Sequence, residues 1–325
     1  MSVSNINPEF YKASKPEDWT GRIDSDTDFE QFRYHQVVKC DSLFNLSRMT
    51  YVALLGFASD EGVRRNKGRI GASEGPESFR NAIGSLCWQG EEEGFLDVGN
   101  IFPKDGNLEV AQNELGKAIQ ALLKNKKRPF VIGGGHETAY GHYLGIANYL
   151  KATNPDAQLG ILNIDAHFDL RPHNGIPHSG SPFLQAHEHA QKNNLDLSYF
   201  VYGINPQNNT KALFKTAEEL GVEFCTTQDV WGSNSDTLAK VQSFIGSRTH
   251  IYLTTCLDVF KAEVAPGVSA PAWHGIELNH ALKVLELVKS SGKMLSMDVC
   301  ELNPEYDLNN QTSKLAGMLF GEYIR

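Results

Sequence analysis

From about residue 50 onward, short runs of β-branched and aliphatic residues alternate with longer stretches whose apolar residues recur every three or four positions, and that alternation leaves few folds open. Strands are predicted at Tyr51–Gly56, Phe95–Val98, Pro129–Gly133, Leu159–Ile164, Tyr199–Gly203, Val222–Cys225, Ile251–Leu257 and Met294–Val299. Between them the spacing predicts helices over Leu108–Leu123, Thr138–Leu150, Gln207–Leu220, Thr237–Ile245, Leu278–Val288 and Ser313–Tyr323. Strands that run apolar without alternation are buried on both faces, so the expectation is an α/β fold with a parallel sheet between helical layers. No repeat or Pro/Gly/Ser linker divides the chain. Residues 49–325 are therefore read as one domain, and residues 1–48 as a polar N-terminal extension packing on it.

Charge and cysteine usage narrow the classes of function. The net charge of -9 argues against a nucleic-acid partner, because phosphate binding needs concentrated Lys and Arg. Lys124, Lys126, Lys127 and Arg128 form a short basic run that reads as a solvated helix end. Five scattered cysteines without CxxC pairs argue against a disulfide scaffold and for a reducing compartment, with most thiols buried. Met1 to Lys12 is polar and the apolar runs are too short for a membrane span, so a soluble cytoplasmic protein with no membrane partner is expected.

Three predicted strands end in metal-capable side chains, at the edge of the sheet where open α/β folds place ligands. They are Gly133-Gly134-Gly135-His136-Glu137, Asn163-Ile164-Asp165-Ala166-His167-Phe168-Asp169 and Cys256-Leu257-Asp258. In the second, alternation turns Asp165, His167 and Asp169 toward one volume if the chain bends on leaving the strand. A lone Asp-x-His has an ordinary explanation, a turn-capping Asp beside a hydrogen-bonded core His. Carboxylates buried beside Ile161, Leu162 and Ile164 with little Lys or Arg nearby need another source of positive charge, and a pair of divalent ions about 3.5–4 Å apart sharing a carboxylate supplies it. The glycine triplet lacks the Lys-Ser/Thr and GxGxxG signatures of phosphate loops and reads as a close-approach turn that lets His136 reach the ions.

These segments, with Ser179-Gly180-Ser181-Pro182-Phe183 and Ala265-Pro266-Gly267, resemble in the same order the arginase, agmatinase and formimidoylglutamase (ureohydrolase) superfamily, over roughly Trp19 to Leu319. The resemblance implies a three-layer arginase-like fold around a central parallel, mostly eight-stranded sheet, with two Mn²⁺ ions at the strand carboxyl ends. By position, His136, Asp165 and Asp169 would hold one ion, while His167, Asp258 and a bridging Asp165 would hold the other. Where the family usually has a second bridging Asp, this chain has Cys256, a softer donor than Mn²⁺ prefers. Cys256 is read as a ligand that weakens one site; a neutral thiol beside a single ion is the alternative.

The resemblance further implies hydrolysis of an amidine-type carbon, with Asp169 moving a proton and Glu301, from Ser296-Met297-Asp298-Val299-Cys300-Glu301, receiving the cationic amidinium. The family's shuttle His aligns with Phe183, and His178 is its possible substitute. Segments around Asp18-Trp19-Thr20-Gly21-Arg22 and Asn66-Lys67-Gly68-Arg69 look most like the formimidoylglutamase branch, whose substrate carries a carboxylate pair. Arg69, Arg171 and Ser179 are accordingly the expected substrate-binding residues, for which Arg suits planar carboxylates. The family likeness also implies a homo-oligomer. Hydrolysis of N-formimidoyl-L-glutamate is the leading expectation. Arginase, agmatinase or guanidinobutyrase activity, and a non-catalytic metal-binding or regulatory role, are the alternatives.

Overall fold

A computed structural model describes residues 5–47, 51–91 and 93–325. Its centre is one sheet of ten strands: β1 (Tyr11–Lys12), β2 (Val38–Cys40), β3 (Val52–Phe57), β4 (Phe95–Ile101), β5 (Arg128–Gly133), β6 (Gln158–Ile164), β7 (Asp196–Ile204), β8 (Glu223–Thr226), β9 (His250–Cys256) and β10 (Met294–Cys300). The spatial order is β1-β4-β3-β5-β10-β9-β6-β7-β8, with β2 also paired to β4. All eight predicted strands form and run parallel. The two additional strands come from the N-terminal segment, β1 antiparallel and β2 parallel to β4.

Helices cover both faces, and strand alternation divides the core between them. Ala53, Leu55, Val131, Ile161 and Tyr252 pack on the side of helices Leu108–Lys124 and Thr138–Thr153. Leu54, Phe130, Leu162, Leu253 and Met297 pack on the opposite side, against helices Leu278–Ser290 and Gln311–Ile324. Both faces are apolar, which is why the strands lack a polar alternation.

The N-terminal segment departs from its polar appearance. Ile6, Phe10, Tyr11, Trp19, Tyr34, Val37, Leu43 and Leu46 are buried, and the Trp19 indole donates to Asp97 Oδ2 at 2.8 Å. The expected boundary between residues 48 and 49 lies outside the described residues. The basic run is not wholly a solvated helix end either: Lys127 is buried, and Arg128 opens β5, stacks on the Tyr323 ring and donates to the Tyr323 carbonyl. Three of the five cysteines are buried, Cys40 is half-buried and Cys87 is exposed.

Adjacent strands β5, β10, β9 and β6 form the middle of the sheet. The chain order reverses between β5 and β6, so the carboxyl ends of these four strands flank the crevice that an open α/β sheet offers a ligand.

Candidate metal centre

Each of the four central strands delivers side chains to that crevice through a locally fixed turn. After β5, Gly134 and Gly135 donate backbone N–H groups to Phe57 and Ser59. A Cβ on Gly134 would stand 1.8 Å from the Ser59 carbonyl, so only glycine allows this approach. His136 follows and is buried. After β6 the chain bends: the Asp165 N–H donates to Tyr202, and Asn209 grips the turn by donating to the Ala166 carbonyl and accepting from the Phe168 N–H. Asp169 closes this turn at φ 50°. β9 ends at Cys256 and a single 3-10 turn, Leu257–Val259, brings in Asp258. β10 ends before Glu301, which has φ 69° and donates its N–H to the Gly134 carbonyl. Left-handed backbone at non-glycine residues stores strain, and at a site it marks side chains held where packing alone would not put them.

His136 Nδ1 stands 3.0 Å from Asp165 Oδ2 and 2.9 Å from Asp169 Oδ2. It nevertheless makes no hydrogen bond to either, and is an orphaned buried atom. His167 Nδ1 is 3.6 Å from Asp165 Oδ1 and 3.1 Å from Asp258 Oδ2, and Asp258 Oδ1 is likewise buried without a partner. Asp165 thus turns one oxygen to each imidazole. Its orientation is fixed by the Asn163 amide at 3.0 Å and the His167 N–H at 2.8 Å. Donor atoms converge in two groups that share Asp165, namely His136 with Asp165 and Cys256, and Asp165 with His167 and Asp258. Burial alone would lower the pKa of both imidazoles, but the facing carboxylates hold them well above their usual range. Ligand atoms this close, two of them orphaned, fit a pair of cations that take the place of those protons. Asp169 stands at the first group through His136, and burial, then Asp165, raises its carboxyl.

Above the donors lies a cavity of about 330 Å³ lined by His136, His167, Asp169, Cys256, Asp258 and Glu301 at its floor. Arg69, Arg171 and Ser179 also line it, so every sequence-predicted site residue except the deeper Asp165 reaches this one space. Glu301 Oε1 accepts from the His136 N–H at 3.0 Å, while Oε2 is buried and unpartnered. Burial, then repulsion from Asp258, pushes the Glu301 carboxyl up to about 8, and a cation seated against Oε2 would favour its ionised form. Burial and the surrounding carboxylates, Asp165 first, also raise the Cys256 thiol well above its ordinary range.

Two residues that the sequence places near this chemistry stand apart from it. His178 does not line the cavity; its Nδ1 accepts from the Gly180 N–H and its Nε2 turns toward the Pro172 carbonyl. Phe183 packs edge-on to His136 with ring centres 5.3 Å apart and carries no proton. Arg69 reaches the cavity, but its guanidinium donates to the Ser269 and Val268 carbonyls and lies 4.0 Å over the Tyr306 ring. Sequence reasoning missed Thr254, whose hydroxyl is 3.0 Å from His136 Nε2, and Asn163. Each lies two residues before a named ligand on its strand, so the alternation that found the ligands also pointed to them. It missed Glu137 as well, which accepts from Ser59 and the Gly62 N–H and is raised to about 7 by burial.

A family model described as Arginase family matches residues 50–324. A Lysinibacillus sphaericus protein named formimidoylglutamase is 42% identical over 319 residues, covering 97% of this chain and 97% of that protein. The Clostridium tetani protein of the same name is 37% identical over 322 residues, covering 97% and 95%. Among solved structures, a variant of Trypanosoma cruzi formiminoglutamase with Mn²⁺ superposes with a TM-score of 0.75 at 25% identity, over 86% of this chain and 93% of the other.

Proposed function

The chain belongs to the arginase family, and from that membership and the site we propose that it hydrolyses the amidine C–N bond of N-formimidoyl-L-glutamate, giving L-glutamate and formamide. The observation that carries this reading is the Asp165 carboxylate set between two imidazole-containing donor groups, beneath a cavity whose floor keeps, outside those donor groups, an unpaired carboxylate oxygen at Glu301 Oε2.

The cofactor is Mn²⁺, bound as a pair. His136, Asp165 and Asp169 would hold one ion and Asp165, His167 and Asp258 the other, with Cys256 beside the first. When bound, the pair supplies Lewis acidity that acidifies water and polarises the amidine carbon. The protein's own groups do the rest. Asp169 uses the oxygen not turned to His136 to take a proton from the attacking water and return it to the leaving nitrogen. Glu301 Oε2 receives the amidinium and orients its carbon toward the floor. Asn163 and the His167 N–H keep Asp165 in its two-sided pose, and Phe183, packed on His136 and stacked on Tyr199, keeps water from the rear of the imidazole. Ser179, tied to Asn66 Nδ2 at 3.1 Å, sits at the wall where the substrate backbone passes.

We also place the enzyme in the reducing cytoplasm, because its five cysteines are all free, and propose the homo-oligomer that the family likeness implies, which sedimentation measures. The function is tested by metal analysis combined with product detection over a panel of N-formimidoyl-L-glutamate, L-arginine, agmatine and 4-guanidinobutyrate. Formamide from the first substrate alone is expected. Urea from any of the others, or bound Mn²⁺ with no turnover at all, would sink the reading.

A further inference from the structure

Three cationic side chains line the cavity, Lys67, Arg69 and Arg171, and the structure commits only one of them. Arg69 is held by the Val268 and Ser269 carbonyls and the Tyr306 ring. Lys67 and Arg171 line the cavity, are exposed, and among the described residues have neither an acid nor a carbonyl on their charged ends.

Both are nevertheless aimed. Lys67 has φ 61°, a conformation that a lysine adopts at a cost, between an Asn66 amide bonded to Ser179 and a Gly68 whose Cβ would strike Ser269 Oγ at 2.5 Å. The Arg171 N–H donates to the Gly180 carbonyl, and its stem lies against Gly180, where a Cβ would stand 2.8 Å from Arg171 Cδ. The bases of both side chains are fixed and their tips are free, which is the form of a preorganised receptor.

We infer that Lys67 and Arg171 are the two carboxylate receptors of the site and set its preference for an amidine that carries two carboxylates on the chain beyond its nitrogen, an inference that rests on the reading of function above. Glu301 is the floor carboxylate outside the two metal-donor groups, and the two free cations stand at the exposed side, so the partner for an amidinium and the receptors for carboxylates lie at opposite ends of the cavity. A cationic amidinium with two carboxylates on the chain beyond its nitrogen matches that arrangement. A guanidine ending in one carboxylate and one ammonium sets like charge against one receptor, and an alkyl guanidine ending in an ammonium opposes both. Arg69 is a positioning residue, joining the 66–71 loop to the 268–269 loop, and not a receptor.

The test is kinetic, on the Mn²⁺-loaded enzyme. Lys67→Ala and Arg171→Ala are each expected to raise KM for N-formimidoyl-L-glutamate about 10- to 100-fold, the weight of one charge-assisted pair, with a much smaller change in kcat. Lys67→Arg retains the charge and is expected to restore most of the affinity. N-formimidoyl-L-glutamine, in which the side-chain carboxylate is an amide, is expected to bind wild type more weakly, and one of the two alanine variants is expected to show no further loss. KM values within about twofold of wild type in both alanine variants would overturn the inference. If wild type releases no formamide from the parent substrate, the reading of function falls, and the receptors are judged separately by calorimetric titration of L-glutamate. Weaker binding in both variants supports them; affinity equal to wild type, or no binding to wild type, removes them.

Discussion

Thr254 decides which nitrogen of His136 faces the carboxylates. With His136 Nε2–H donating to the Thr254 hydroxyl at 3.0 Å, the lone pair lies on Nδ1, between Asp165 and Asp169. Thr254→Val keeps the shape and removes the acceptor, so Mn²⁺ affinity measured by calorimetry is expected to fall about 10- to 100-fold with the fold unchanged. Cys256→Asp acts in the other direction: a hard oxygen donor in place of a soft sulfur should tighten binding at the group it shares with His136 and Asp165. Equal Mn²⁺ stoichiometry and affinity in the two proteins would exclude Cys256 from the coordination sphere. Asp165, His167 and Asp169 were legible as alternating metal-capable residues leaving a buried strand, and it is the bend after β6, held by Asn209, that brings them to one space. The contacts that hold Arg69 were not legible, because its partners lie some 200 residues further along, at Val268 and Ser269, where no local pattern reaches. His178, a possible shuttle or an ordinary loop histidine by sequence, stands off the cavity: proximity to Ser179 in sequence does not turn its ring toward Ser179's cavity.

Among the elements, the glycine turn after β5 carries the most consequence per atom. Gly134→Ala places a methyl group against the Ser59 carbonyl, and the turn must move to relieve it. The expected cost is about 1–3 kcal/mol in urea denaturation, together with loss of Mn²⁺ binding, because Gly134 also accepts the Glu301 N–H. A variant that keeps its affinity would show that the turn is more pliant than this close approach implies. The seven longer parallel strands, all but β8, were readable because apolar, doubly buried runs have few other uses. Helices Gly75–Ile83 and Pro182–Asn193 were not, since the first is short and opens on Gly-Pro, and the second intersperses its buried Phe183, Ala186 and Ala190 with Gln, His and Glu. The N-terminal strands were hidden for a related reason. Their contribution rests on single aromatics, Tyr11, Trp19 and Tyr34, set among charges without a period.

The molecule as a whole couples its metal chemistry and its charge balance to folding. Ligands arrive from the ends of β5, β6 and β9, so ions bind the native chain far better than the unfolded one. Chelation is expected to lower the melting temperature, by the equivalent of about 2.7 kcal/mol for each ion when free Mn²⁺ had stood a hundredfold above its dissociation constant. An unchanged melting temperature would mean the donors do not act together. On the far side of β4, Arg80 and Asp97 form a buried ion pair at 2.7 Å, joined by Ser14 and Trp19. Burial alone would raise the Asp97 pKa, but the Arg80 charge outweighs it and the carboxyl sits below its ordinary value. The pair's stabilisation is therefore complete above the unfolded carboxylate value of about 3.9 and is lost as pH falls through the lower folded value. Asp97→Asn is expected to cost about 3–5 kcal/mol at pH 7, since it strands a buried guanidinium, and the gap from wild type should narrow in acid. A gap independent of pH would assign the loss to packing.

A sheet of eight parallel strands has two open margins, each a ready template for a neighbour's backbone. Here one margin is overlaid by the described N-terminal residues 5–40, through the antiparallel pairing of β1 with β4 and the addition of β2, and the other finishes in the four-residue β8. Neither presents a long unpaired ladder, so copies of this protein that associate must do so through side-chain surfaces and not by extending the sheet. The same covering means that trimming the N-terminal residues would do more than shorten the chain: it would expose the backbone of β4 and turn a soluble margin into an adhesive one.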